Sequence, residues 1–447
     1  MSDLKDVLFR KKKNAWFVSS KEEIFRFADS YKEFLRNCKT EREVVKFVKE
    51  YFIKNKRDRD FILINKNKNL ALVRLSEGSG MRIIASHIDA PRLDLKQNPL
   101  FEDSGVGLFH THYYGGIKKY QWLNIPISLH GILIKSGGEV VEIKIGDDIS
   151  DPVFVIPDLL PHLSKKVIDE KVVKDAFDGD KLNLICGSLP FSEKEKDQIK
   201  LNILNYLQET YGIVEEDFIS AEIQIVPAFE PRDVGFDRSL IGAYGQDDRI
   251  CAFASFMAFF DTTASDKTQV VLMVDKEEIG SEGNTSAQSN FIFEIAVEIL
   301  KRKGIEPSFA NILAFFKESE CLSADVSAAV NPMYKDVHEA DNAAYINNGV
   351  VVTKFTGHGG KYSANDANTE FVAKIRDLFN KNNVVWQVAE LGKVDEGGGG
   401  TIAKYISKHN IETLDCGPAL ISMHSPFEIS SKADLYETFK AYKAFLG

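Results

Sequence analysis

The run Met81-Arg-Ile-Ile-Ala-Ser-His87-Ile-Asp89 decides how the rest of the chain is read. Residues 81–86 form a largely apolar strand-like segment, and polar chemistry begins where it ends. In an extended segment, residues i and i+2 point to the same side. Asp89 can therefore support His87 and fix its tautomer, as carboxylates do behind metal-ligating histidines. Open α/β sheets collect their sites at the carboxyl ends of strands. The residues that follow each apolar strand are thus the ones to trace.

Working outward, residues 61–64 and 70–75 read as strands before this run, and 269–274 as a strand after it. A helix is expected at about 286–303, closed by Gly304, and a strand at about 311–316. Residues 365–382 read as a helix with Phe371, Val372, Ile375, Leu378 and Phe379 on one face, followed by strands near 384–388 and 411–414. Residues 20–54 carry two amphipathic stripes, each opened by a capping-box pair, Ser20 with Glu23 and Thr40 with Glu43. This alternation predicts an α/β layer with a largely parallel sheet. From 93 to 232 the pattern changes to short extended runs at 128–135, 139–145, 154–156 and 221–226. These are separated by glycine-rich turns and a lysine-rich polar stretch at 192–200. That segment reads as a β-rich insertion. The four-glycine run at 397–400 reads as a flexible loop, because no strand leads into it and no Gly-Lys-Ser/Thr follows to build a phosphate cradle.

Composition narrows the function classes. A length of 447 residues implies two or three domains at roughly 150 residues each. A hydrophobic share of 44% supports real cores and excludes global disorder. The net charge of -10 argues against nucleic acid or an anionic membrane as the main partner. No stretch approaches the roughly 18 apolar residues of a membrane helix, and the N-terminal residues lack the apolar core of a signal peptide. A cytoplasmic protein is the expectation. Five scattered cysteines without a Cys-x-x-Cys pair predict buried reduced thiols rather than a disulfide framework or thiolate zinc site.

Several other strand-like runs also end in acids or histidine. Residues 270–274 lead to Asp275-Lys-Glu277-Glu278, residues 312–316 lead on to Ser323-Ala-Asp325, and residues 419–423 end at His424. Asp247-Asp248 precedes a strongly apolar helix-like stretch, so both acids fall at a helix N-terminus. Singly, each has an ordinary explanation: a satisfied polar histidine, a solvated Glu-Glu turn, an aspartate helix cap. Together, two histidines and several carboxylates form the ligand set of a hard-to-borderline divalent metal, and clustered acids need cations to offset their repulsion. Residue types and placement alone thus point to a metallohydrolase.

The motifs that carry this chemistry are Ser86-His87-Ile-Asp89-Ala-Pro91, Asp247-Asp248-Arg249, Glu277-Glu278-Ile-Gly-Ser281, Leu322-Ser-Ala-Asp325-Val326 and Ser422-Met-His424-Ser425. In order and spacing they resemble the M18 family of metalloaminopeptidases, the aspartyl aminopeptidase and aminopeptidase I group. The resemblance implies an α/β/α catalytic domain with a mixed, largely parallel sheet, formed by residues 1–92 and 233–447. It also implies that the β-rich insertion, 93–232, is a dimerisation domain. It implies two divalent ions, zinc first with cobalt or manganese as alternatives. His87 and Asp325 would bind one, Glu278 and His424 the other, and Asp247, the first acid of its pair, would bridge them. Asp89 would hold His87, and Glu277 would be the general base and acid that lets the enzyme remove the N-terminal residue of peptides with a free amino terminus.

The same resemblance implies a homododecamer built from dimers. It places His162, in Ile156-Pro-Asp-Leu-Leu-Pro-His162-Leu163, at a neighbouring subunit's active site against the substrate carbonyl; the alternative is a surface histidine of the insertion. His110, His112 and His130 are read as structural. Acid-preferring members carry a lysine before a Tyr-Ala-Ser-Asn-like stretch. Here Lys361 is displaced by about two positions toward Tyr362, which leaves a preference for N-terminal Asp or Glu open. Two other readings use the same residues: a related di-metal deacylase or carboxypeptidase, and a non-catalytic oligomeric peptide-binding scaffold. The five acids Asp89, Asp247, Glu277, Glu278 and Asp325 equal half the net charge, so part of the acid surplus belongs to the site.

Overall fold

The computed structural model describes Leu4, residues 8–10 and residues 12–447 apart from 194, 195 and 264. The chain divides into two compact units. The first comprises Met1–Asp89, Pro231–Met423 and Phe427–Gly447, and the second Ala90–Glu230 with His424–Pro426.

The first unit is built on eight strands: β1 (Asp60–Asn65), β2 (Asn69–Arg74), β3 (Met81–His87), β4 (Thr268–Val274), β5 (Glu320–Ser323), β6 (Val350–Thr353), β7 (Trp386–Val388) and β8 (Glu412–Gly417). Their order is β1-β2-β4-β3-β5-β8-β6-β7. Four of the seven pairings are parallel, including β4–β3, β3–β5 and β5–β8 at the centre. Every residue of β4 is buried, and so are all of β3 except Arg82. That is the burial expected of strands covered on both faces.

Alternation along the strands feeds two cores. Leu70, Leu72, Ile84, Val271, Met273 and Leu322 face one side, against five helices. These are α1 (Lys21–Asn37), α2 (Glu41–Asn55), α3 (Gln246–Asp261), α6 (Thr369–Lys381) and α8 (Lys432–Leu446). Ala71, Val73, Ile83, Ala85, Val270 and Leu272 face the other. There they meet α4 (Phe291–Arg302), α5 (Phe309–Lys317) and α7 (Ala403–Ser407). The result is an α/β/α sandwich. A separate five-stranded sheet contains Arg232–Val234, Leu240–Ala243, Glu428–Ser431, Ala419–Ile421 and Ser327–Ala328, and its second strand leads directly into α3.

The Thr40–Glu43 capping box forms in both directions, with Glu43 N–H donating to Thr40 Oγ1 at 3.3 Å and Thr40 N–H donating to Glu43 Oε2 at 2.9 Å. The Ser20 counterpart does not form, and Ser20 makes no side-chain cap bond. Residues 311–316 are helical, not a strand. Ser308 Oγ caps α5 by accepting Asn311 N–H at 3.3 Å, and the buried Ile312, Phe315 and Phe316 recur with helical rather than twofold spacing. The strand leading toward Asp325 is β5. The glycine run is also ordered differently: Gly398–Gly399 pairs antiparallel with Gly357–His358. In the expected strand 154–156, Phe154 and Val155 form isolated bridges, to Ile127 and Ile185, and Ile156 forms none.

The second unit is a six-stranded antiparallel sheet. Its strands are Val140–Ile145, Ile127–Ile134, Glu222–Pro227, Arg92–Asp103, Val106–Tyr114 and Leu184–Gly187, and it carries a helix at Gln198–Tyr211.

Candidate metal centre

The side chains that the strand ends deliver lie at the carboxyl edges of three adjacent strands. His87 ends β3, Glu277 and Glu278 open the 3-10 turn after β4, and Asp325 follows β5. Asp247 and Asp248 open α3. Adjacent parallel strands end at one edge, which is why residues up to about 240 positions apart in sequence meet there.

His87 is 1% exposed. Its Nδ1 lies 3.1 Å from the Asp89 main-chain carbonyl and 3.4 Å from Asp89 Oδ1. Both are acceptors, so Nδ1 carries the proton. Nε2 faces Asp247 Oδ1 at 3.1 Å and Asp325 Oδ1 at 4.0 Å. A neutral His87 would therefore aim a lone pair at a carboxylate oxygen, and only a cation between them makes that contact favourable. A proton can play that part: burial pushes the imidazole's proton affinity down, yet the hydrogen bonds to Asp247 and Asp89 outweigh it and raise the pKa well above its ordinary value. A divalent ion fits the same place. Two ligands each about 2.0–2.2 Å from a tetrahedral zinc stand roughly 3.3 Å apart, close to the His87–Asp247 spacing.

Asp89 is fully buried and makes a second set of contacts. It accepts the main-chain N–H groups of Glu277 on Oδ1 at 3.1 Å and of Glu278 on Oδ2 at 3.2 Å. Asp248, also fully buried, accepts the His87 N–H on Oδ2 at 3.3 Å. Burial raises the proton affinities of both Asp248 and Asp325. His87 pulls each back down, and neighbouring carboxylates raise them again, Asp247 for Asp248, and Asp248, Glu277 and Asp247 for Asp325. These acids repel one another unless protons or cations intervene. Among the described residues, two groups of donor atoms are tight enough to share an ion, each with all atoms within 4.8 Å: His87, Asp247 and Glu278, and His87, Asp248 and Asp325. His87 belongs to both. The residues present thus fit a site for divalent metal.

The resemblance chooses Asp247 over Asp248 as the first acid of the pair, because adjacent acids in sequence do not reveal which one turns toward the histidine ring. Here Asp247 faces Nε2 and Asp248 holds the His87 main chain. His424 follows the strand Ala419–Ile421 and groups with the second unit, where its Nδ1 lies 3.0 Å from the Gly116 carbonyl. His162 is exposed on the one-turn helix Pro161–Ser164 of that unit. His110 stacks on Phe101, His112 Nδ1 lies 2.8 Å from the Tyr113 carbonyl, and buried His130 pairs with Asp147 at 3.2 Å. Lys361 pairs with Asp366 at 3.1 Å and lies over the Phe355 ring.

An α/β/α sandwich with histidine and carboxylates gathered at its central strand ends defines a metallohydrolase. Comparison with known proteins gives the family. Residues 34–446 match the model of the aminopeptidase I zinc metalloprotease (M18) family. A probable M18 family aminopeptidase 1 of Thermotoga neapolitana is 49% identical over 449 residues, covering 97% of this chain and 98% of that protein. The crystal structure of an M18 aminopeptidase from Thermotoga maritima superposes with a TM-score of 0.95 at 48% identity, over 98% of this chain and 99% of that one. At 22% identity, the S. cerevesiae mApe1 dodecamer shares the fold, with a TM-score of 0.74 over 94% of this chain and 95% of that one. The chain belongs to the M18 family: it is a metal-dependent aminopeptidase, a hydrolase that acts on peptides as an exopeptidase.

Proposed function

We propose that this aminopeptidase works with two divalent ions, zinc first, and that Glu277 moves the proton. His87 and Asp325 would hold one ion, Glu278 and His424 the other, and Asp247 both. The observation that carries the reading is the convergence of His87, Asp247 and Glu278 donor atoms within 4.8 Å, with Asp325 beside the same histidine. For His424, the Nδ1–H···O=C bond to Gly116 selects the tautomer whose Nε2 bears the lone pair a metal needs.

The ions supply Lewis acidity, which polarises the scissile carbonyl and acidifies the attacking water. The chain supplies the rest. Glu277 takes the proton from the water and returns it to the leaving amine. Asp89 fixes the main chain of Glu277 and Glu278 in the turn, so base and ligand keep their separation. His162 would reach a neighbouring subunit's substrate through a dimer formed by the inserted segment 93–232, within a homododecamer. The expected setting is cytoplasmic, and the expected partners are peptides with an unblocked amino terminus.

A panel of dipeptide amides with and without N-acetylation tests the reaction class. Cleavage of the unblocked set alone supports the reading. Cleavage of the blocked set alone assigns a deacylase-type reaction, and two bound ions with no hydrolysis assigns a peptide-binding scaffold.

A further inference from the structure

Asp247 stands in the first turn of α3, where neither it nor Asp248 has helical backbone angles (φ/ψ −79°/108° and −115°/27°). The first N–H groups of a helix have no acceptor within it. The N–H of Asp247 is donated instead to Oε2 of Glu428, at 3.1 Å. Glu428 is 1% exposed and opens the strand Glu428–Ser431, in register with Ala243. The same strand holds the residue before Asp247. Gln246 Nε2 donates to the Glu428 carbonyl at 2.7 Å and to the Ile241 carbonyl at 3.2 Å, and Gln246 Oε1 accepts Ser430 Oγ at 2.6 Å.

A buried carboxylate is costly unless its oxygens are hydrogen-bonded. This one spends Oε2 on the main chain of a residue whose own carboxylate lies 3.1 Å from His87 Nε2. Gln246 fixes the backbone on one side of Asp247, and Asp248 is tied to His87 N–H on the other. With its own amide held, the Asp247 main chain is fixed at the point from which its carboxylate reaches His87 Nε2. We infer that Glu428 is a positioning residue for Asp247, orienting that carboxylate for metal through the main-chain amide rather than through charge. The inference rests on the reading of Asp247 as a metal ligand.

Two polar substitutions in the full chain separate reach from charge. Glu428→Gln keeps the length and an acceptor oxygen but loses the charge. Glu428→Asp keeps the charge but withdraws it by one methylene. Metal affinity, measured by competition with a chromogenic chelator, should stay within about threefold of wild type in Glu428→Gln and fall about tenfold or more in Glu428→Asp, the range typical for supports of metal ligands. The kcat/KM at fixed low metal should follow the same order. The opposite order would show that charge is what matters. Equal losses would show packing alone, and no change in either would show that the contact has no role, so each of these results overturns the inference. His87→Ala in the same assay keeps the two readings apart. If His87→Ala binds metal like wild type, the metal-centre reading itself fails. If it loses metal while Glu428→Asp does not, only the positioning role fails.

Discussion

The carboxylate of Asp89 accepts the main-chain N–H of Glu277 at 3.1 Å, and through this bond the strand carrying His87 sets the turn carrying the proposed base. One side chain thus ties together His87, Glu277 and Glu278, the proposed base and two of the proposed ligands, since it also accepts Glu278 N–H and lies within 3.4 Å of His87 Nδ1. Asp89→Asn replaces one acceptor oxygen by an NH2 group that cannot accept from an amide. Metal affinity should fall about 10- to 100-fold, measured by chelator competition. Wild-type affinity would remove Asp89 from the architecture of the site.

Glu277→Gln removes the proposed base and leaves the proposed ligands in place. Metal content by elemental analysis should stay near that of wild type, while kcat falls by roughly 10²–10⁴. An unchanged kcat would take Glu277 out of the mechanism.

How much of this was legible in the sequence depends on how local each signal is. The strand ending in His87 and the Thr40–Glu43 capping box are encoded within a few residues, and both were readable. Residues 311–316 read as a strand because a short apolar run fits a strand and a buried helix alike; the deciding residue, the cap Ser308, stands outside the run. The pairing of Gly398–Gly399 with Gly357–His358 joins segments about 40 residues apart and leaves no periodic trace. Glu428 was invisible for the same reason in stronger form: its partner amide is 181 residues away, and a lone glutamate in a strand announces nothing.

His162→Ala tests the proposed contribution across subunits. Activity should fall with metal content unchanged. Mixing this variant with Glu277→Gln under verified subunit exchange should restore part of the rate, because each mutant supplies what the other lacks. Exchange without restoration would confine His162 to the surface of its own subunit.

Asp434 gives a stability signature outside the site. It is fully buried in α8 and accepts the N–H groups of Asn347 and Gly349 at 2.7 Å each, and burial pushes its pKa up to about 8 against those bonds. In the unfolded chain the carboxyl titrates near 4. The folded state thus binds the extra proton between these values. The associated stabilisation is complete below about pH 4 and is lost as pH rises toward about 8. In urea unfolding of metal-free protein at pH 5 and pH 9, wild type should lose more of its midpoint on going to pH 9 than Asp434→Asn does. Equal losses would show that Asp434 is ionised in the folded state throughout.

The most direct test of the two-ion centre is the metal-to-chain ratio of fully active enzyme, measured by elemental analysis after unbound metal has been removed. The account predicts two divalent ions per chain. A ratio of one at full activity would contradict it.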